Sequence, residues 1–416
     1  MIDFFKHSLH LIIINFINLL ATKYLSLVDN SNADQIISKW HGCIGEGVAT
    51  RRRRYKEAKI ARSSTFAEML LPAVAYLLLL STVGAHEQQM FMGRAVVIEA
   101  ITEPVSFGEG PHWSETEQCL YYVDIDNGLL LKYNATNDAF SRIVIPPGNQ
   151  RVSFVIPTLE DESSLMMSRE REIIVVQVDD NDIATVTRVV GSVEDQKPNN
   201  RFNEGRADSM GRLFVGTVGP EGPNGEIPTG GEGSLYRLNS DSTFSTVTSG
   251  VDISNGLAWS LDNTKLYYID TGTNCVDVFD YDITTGTAIN RRPFFNFTEN
   301  NVIGVPDSMS IDANGRLWIA CYGGSQVIVL DPAVNQIVGS IQFPVTLVTS
   351  VVFGGPNFET LYVTTSRHLL TTEDLQQQPL AGSTFRVTGV GARGLPANRV
   401  SLPPLIPQYW TDFWTS

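Results

Sequence analysis

The chain has 416 residues, 43% of them hydrophobic and 18% charged, with a net charge of −15. That is the composition of a globular protein with a large core, and its negative excess excludes nucleic acid, whose binders need a basic face. Four cysteines (Cys43, Cys119, Cys275 and Cys321) are too few for a disulfide framework in a chain of this length; Cys119 and Cys321 lie in strand-like runs and read as buried free thiols.

The first 85 residues depart from the rest, with ten Lys/Arg against six Asp/Glu. The basic stretch RRRRYKEAKIAR precedes an apolar run, Leu70 to Val83, that is shorter than the roughly 20 residues of a bilayer span. It fits the apolar region of a secretory signal, with Val83-Gly84-Ala85 offering the small residues of a cleavage site. Residues 69–85 therefore read as a signal peptide that sends the chain outside the cell, with residues 1–68 as an extension ahead of it. The competing reading is a signal anchor with the arginines on the cytoplasmic side, the one membrane contact the sequence offers; a cytoplasmic location is the remaining alternative.

From residue 90 onward, short apolar runs (VVIEAI, CLYYVDI, RLFVGTV, KLYYID, RLWIACY, TLYVTT) alternate with Gly, Asn, Asp and Pro clusters, which predicts an all-β domain. The runs belong to a repeat. EGPHWSETEQCLYYVDIDNG, NEGRADSMGRLFVGTVG, SNGLAWSLDNTKLYYIDTG and DSMSIDANGRLWIACYGG align, with anchors at Trp113, Ala207, Trp259 and Ile311. Four positions before each anchor stand Glu109, Asn203, Asn255 and Asp307, spaced by 94, 52 and 52 residues. The double gap leaves room for RVSFVIPTLEDESSLMMS, with Ser153 near the matching place, and TSVVFGGPNFETLYVTT makes a sixth unit with Thr349 or Ser350 there. Six such units predict a six-bladed β-propeller over residues 90–394, followed by a tail over 395–416. Closure would pair Arg94–Glu103 with Ser383–Val390, leaving no long exposed edge.

Equivalent positions in a propeller converge on the central channel. Glu109, Asn203, Asn255 and Asp307 then offer two carboxylates and two amide oxygens, a set suited to a hard divalent cation such as Ca²⁺. The competing reading is that each merely caps a strand and bonds a turn backbone. Other motifs carry less. GVGARG (Gly389 to Gly394) has no βαβ unit around it and reads as a turn. His112 is expected to hydrogen-bond near the site, and Trp113 and Trp259 to pack between blades. The Gly/Pro-rich segment Gly219 to Gly233 reads as either a lid or an ordinary loop.

FGEGPHW, NRFNEGRADSMGRLFVGT, ISNGLAWSLDNTKLYYIDT, VFDYDITTG, GVPDSMSIDANGRLWIACYGG and FGGPNFETLYVT resemble, in order, segments of the SMP-30/gluconolactonase/luciferin-regenerating enzyme (regucalcin-like) family. The similarity runs from about Val96 to Gly394. It implies a six-bladed propeller, one divalent cation (Ca²⁺ or Zn²⁺, with Mn²⁺ or Mg²⁺ as further options) and opening of a small-molecule sugar lactone. By motif, it makes Glu109, Asn255 and Asp307 the metal ligands and Asp307 also the base. Arg201 and Asn203 become substrate contacts. Two departures stand out: Glu204-Gly205 replaces the family's usual Asp-Gly, and GTVGPEGPNG leaves Glu221 as the candidate acidic substrate contact. Both are expected to affect substrate recognition rather than the metal. The alternatives are a calcium- or ligand-binding propeller without turnover and an esterase or luciferin-regenerating type of hydrolase on the same scaffold.

Overall fold

A computed structural model describes residues 87–91, 93–222 and 229–404. The expected leader, Cys43, the middle of the 219–233 loop and the last residues of the tail lie outside the described residues. Among the described residues, no helix is long and apolar enough to cross a membrane.

The strands form six antiparallel sheets arranged as the blades of a propeller, five with four strands and one with five. The innermost strands of blades 1 to 6 are Gly108–Ser114, Val155–Pro157, Arg201–Ala207, Ser254–Trp259, Val305–Ile311 and Val348–Gly354. The second strand of a blade is covered on both faces, so Cys119–Asp124 and Leu213–Val218 are buried throughout. Outermost strands such as Thr287–Asn296 meet water and carry charge. Burial thus follows from place in the blade, which is why second-strand runs such as LFVGTV and LWIACY are strongly apolar.

Each gap between neighbouring blades holds one apolar cluster, so six clusters ring the axis. The repeat's anchors sit in these gaps. Trp113 of blade 1 stacks on Tyr362 of blade 6 at 5.1 Å between ring centroids, and Trp259 of blade 4 meets Phe214 of blade 3 edge-on at 5.4 Å. Both tryptophans are packing residues, as expected, and truncating either would cost about 3–5 kcal/mol. The ring closes as the sequence predicts: Val97 pairs with Thr388 and Ala100 with Phe385, placing Arg94–Ala100 beside the last strand of blade 6. Glu87–Phe91 adds a fifth strand outside it. Past the last blade, Gly394 bridges to Asp312 and Val400 to Thr158. The start of the tail therefore crosses from blade 5 to blade 2, where the innermost strands end.

One irregularity recurs. The pairing of the innermost strand with its neighbour slips between Glu109 and His112, Phe202 and Glu204, Ser254 and Leu257, Pro306 and Met309, and Val348 and Ser350. A bulge adds a residue and re-aims the side chains around it, and here it falls at or beside the repeated polar position in five blades. In blade 1 the bulge needs Gly110. Its φ is +58°, and a Cβ there would lie 2.7 Å from Phe154 Cα, so glycine alone fits.

Candidate functional site at the channel mouth

Glu109, Asn203, Asn255 and Asp307 all stand near the start of an innermost strand, at one end of the channel. Their anchors Trp113, Ala207, Trp259 and Ile311 stand near the other end. Glu109, Asn255 and Asp307 are only 5–6% exposed, and Asn203 is half-buried.

The orientation of Asn255 is set by its neighbours. The Thr271 hydroxyl spends its hydrogen on the Pro306 carbonyl at 2.7 Å, so it accepts from Asn255 Nδ2, also at 2.7 Å. The amide oxygen must then point the other way, where it accepts from Asn203 Nδ2 at 2.8 Å. Asn203 Oδ1 accepts from Arg201 Nη1 at 2.7 Å. Arg201, Asn203 and Asn255 thereby form one chain of hydrogen bonds across blades 3 and 4, with a free lone pair left on Asn255 Oδ1.

Three carboxylates share the buried channel. Glu109 is pushed up to about 8, first by burial and then by Glu204; the Gly110 N–H, which donates to Glu109 Oε2 at 2.7 Å, and the guanidinium groups of Arg206 and Arg201 oppose this. Asp307 is raised well above the usual carboxylate range by burial, Glu109 and Glu204, with no hydrogen bond among the described residues to offset it. Glu204 is raised by burial and held back chiefly by Arg206, whose Nε lies 3.2 Å from Glu204 Oε1. Glu204, expected to bear on substrate recognition, also stands close enough to the other two carboxylates to raise both.

The donor set fits a divalent cation. Glu109 and Asp307 are buried, oxygen-bearing and mutually repelling, and Asn255 Oδ1 keeps a lone pair beyond its bond to Asn203. A +2 charge between the two carboxylates would relieve the repulsion that raises them. Among the described residues, no three His, Cys, Asp or Glu side chains gather as a ligand cluster. Glu204 is turned to Arg206, so the third protein ligand in such a set is an amide.

Arg201 and Glu221 also meet at this mouth, with Arg201 Nη2 3.8 Å from Glu221 Oε1. Sequence reasoning missed their neighbours. His368 Nε2 faces Glu221 Oε2 at 3.4 Å, and its Nδ1 is bonded to Asp126 at 2.8 Å. Arg151 approaches Glu221 to 3.8 Å. The phenol of Tyr322 is pushed up by burial and by Asp307, Glu221, Asp126 and Glu109 together. None of these residues sits at the repeated register, so periodicity carried no signal for them. His112 also differs from expectation. It makes no hydrogen bond among the described residues; instead, it lines a cavity of about 410 Å³ with Leu257, Trp259, Met309 and Pro396 at the far end of the channel. Burial and the Arg206 charge lower it to about 3, so it stays neutral at working pH.

Comparison with known proteins agrees with this architecture. The SMP-30/gluconolactonase/LRE-like region matches residues 107–367. Regucalcin from Sus scrofa is 37% identical over 289 residues, covering 70% of this chain and 93% of that protein. Human regucalcin is 36% identical over 293 residues, covering 69% and 92%. Among solved structures, a luciferin-regenerating enzyme is 36% identical with a TM-score of 0.68, covering 74% of this chain and all of that one. A regucalcin from Agrobacterium tumefaciens, described as calcium-binding, shares the fold at 23% identity and a TM-score of 0.64, covering 76% and 98%. With the family match spanning well over half of its length, this chain belongs to the SMP-30/gluconolactonase/luciferin-regenerating enzyme family.

Proposed function

We propose that this protein is a divalent-cation-dependent hydrolase that opens lactones, sugar lactones first among them. The observation that carries this reading is the meeting, at one channel mouth, of two raised carboxylates with the chain Arg201–Asn203–Asn255. The family description, which includes gluconolactonase, supports the reaction class. Glu109, Asn255 and Asp307 would hold the cation, of the Ca²⁺ or Zn²⁺ kind. Bound there, it supplies Lewis acidity toward the ester carbonyl.

Asp307 acts as the base. It accepts a proton from water as the water oxygen adds to the carbonyl carbon. The ring C–O bond then breaks, and the proton passes to the departing ring oxygen, giving a hydroxy acid. Arg201 has N–H groups left over after bonding Asn203 and the Phe202 carbonyl, and these donate to ring hydroxyls. Glu221 accepts from another.

The test is a panel of aldonolactones and simple esters with the full chain, metal-stripped and then supplied with Ca²⁺, Zn²⁺, Mn²⁺ or Mg²⁺. Hydrolysis of the lactones that vanishes on stripping and returns with one of these ions is the expected result. The departures from the family pattern at Glu204-Gly205 and in the 219–233 segment favour a second reading, a cation-binding propeller without turnover. Calorimetric Ca²⁺ binding with no hydrolysis across the panel would select that reading.

We also propose that residues 69–85 direct secretion. N-terminal sequencing of protein from the culture medium should then begin at His86. Retention in the cytosol with this segment intact would overturn the assignment.

A further inference from the structure

The mouth of the channel contains a side-chain cluster of which the proposed reaction uses only Glu221. Asp126 lies just beyond the second strand of blade 1, Cys119–Asp124. His368 follows the second strand of blade 6, Thr360–Thr365. Glu221 belongs to the segment that leaves blade 3 after Leu213–Val218. The three residues are far apart in sequence and meet here.

The geometry ranks their roles. Asp126 Oδ2 accepts from the Ser106 hydroxyl at 2.7 Å and is bonded to His368 Nδ1 at 2.8 Å. The imidazole is held further by the ring of Phe107, 5.3 Å away, which also stacks on Tyr322 at 6.3 Å. His368 Nε2 then faces Glu221 Oε2 at 3.4 Å. That is an ion-pair distance, just outside hydrogen-bond length, and this nitrogen is buried with no other partner among the described residues. Glu221 Oε1 looks toward Arg151 and Arg201, each 3.8 Å away. Among the described residues, Glu221 therefore sits near three cationic groups at 3.4–3.8 Å and makes no hydrogen bond of ordinary length to any of them.

We propose that His368 is a positioning residue: anchored on Asp126, it holds the Glu221 carboxylate across the channel mouth as the acceptor for a ring hydroxyl of the substrate. The clamp joins blades 1, 6 and 3 and makes polyhydroxylated rings preferred over plain lactones. The inference rests on the lactone reading for its substrate, but the clamp itself can be observed without one.

The titration of His368 follows from its surroundings. The facing groups are Asp126 from blade 1, Glu221 from the blade 3 segment, Arg151 and Arg201 behind Glu221, and Tyr322 from blade 5. The two carboxylates raise His368 to about 9, while Asp126 and Glu221 are themselves lowered. The clamp is therefore fully charged below the ordinary histidine value of 6.5 and is lost as pH rises through about 9.

The experiment has two arms on the full chain. In the first, NMR follows the His368 ring, assigned by its loss in His368→Phe. The expected result is titration near 9, moving down in Glu221→Gln and in Asp126→Asn. Titration near 6.5, or no response to either variant, overturns the clamp whatever the substrate. In the second, KM and kcat for glucono-δ-lactone are measured at neutral pH. Calorimetry measures the affinity for 1,5-anhydroglucitol, which has the same ring and hydroxyls without the ester, from pH 7 to 10. His368→Phe should raise KM about tenfold with kcat within about twofold. It should also remove the loss of affinity that wild type shows through pH 9, and His368→Lys, which keeps a cation, should restore most of the affinity at neutral pH. An unchanged KM, or a loss confined to kcat, overturns the proposal. If the ring titrates near 9 but wild type neither binds nor hydrolyses these sugars, the clamp stands and the lactone reading fails.

Discussion

Replacing Asp307 with alanine should lower kcat/KM for lactone hydrolysis by at least about 10³-fold. A positioned base contributes roughly 10²–10⁴-fold, and the same substitution removes one of the two charged ligands from the proposed cation site. The effect on stability should have the opposite sign when no cation is present. Burial, Glu109 and Glu204 all press the Asp307 carboxylate toward the protonated form. Asp307→Asn keeps the shape, removes the charge and should raise the melting temperature of the chelated protein by roughly 1–3 °C. Activity and stability thus part company at this residue, as they do where function requires like charges to be held together. Kinetics and thermal melts on both variants check it. Turnover within about threefold of wild type in Asp307→Ala would end the assignment of Asp307 as base.

The second large effect is the response to chelation, which should grow with pH. Glu109, raised in the folded state from 4.5 to about 8, retains a proton there that the unfolded chain has already lost. Folding then binds more protons than unfolding, so stability falls as pH rises through this window. His368, raised from 6.5 to about 9, works in the same direction at the upper end. His112, lowered to about 3, works against them below 6.5, because the unfolded chain takes up a proton that the buried ring refuses. The clean window is therefore between pH 6.5 and 8.5, where the chelated protein should lose stability as pH rises. Saturating Ca²⁺ or Zn²⁺ should offset that loss, because a ligand that binds only the folded state stabilises it by mass action, about 2.7 kcal/mol at a hundred times Kd. Carboxylate ligands also bind better once deprotonated. The measurement is the melting temperature with chelator and with cation across this window. A gap that fails to widen with pH would argue against Glu109 and Asp307 as ligands, and His368→Phe separates the histidine contribution.

The mouth cluster shows where sequence reading stopped. Glu109, Asn203, Asn255 and Asp307 could be found because each blade repeats the same strand and turn, so one register marks equivalent places. Arg201 and Glu221 came from motif resemblance. Asp126 and His368 had neither aid: they are single residues beyond strand ends, 242 positions apart. Glu204 was visible as a departure from the family motif, but its closeness to Glu109 and Asp307 was not. That closeness depends on the bulge, and the slip between Phe202 and Glu204 is a feature of the folded sheet.

By itself, then, the sequence determined the all-β class, the number of blades, the strand pairing that closes the ring and the polar register lining the channel. These follow from local alternation and from a repeat that cannot bury its faces except by stacking on its own copies. The tertiary structure alone decided the direction of the Asn255 amide, the crowding of three carboxylates, the neutral state of His112 and the meeting of His368 with Glu221. Those depend on distances between residues far apart in the chain and on the water excluded around them, and burial and charge act on groups only once folding has brought them together.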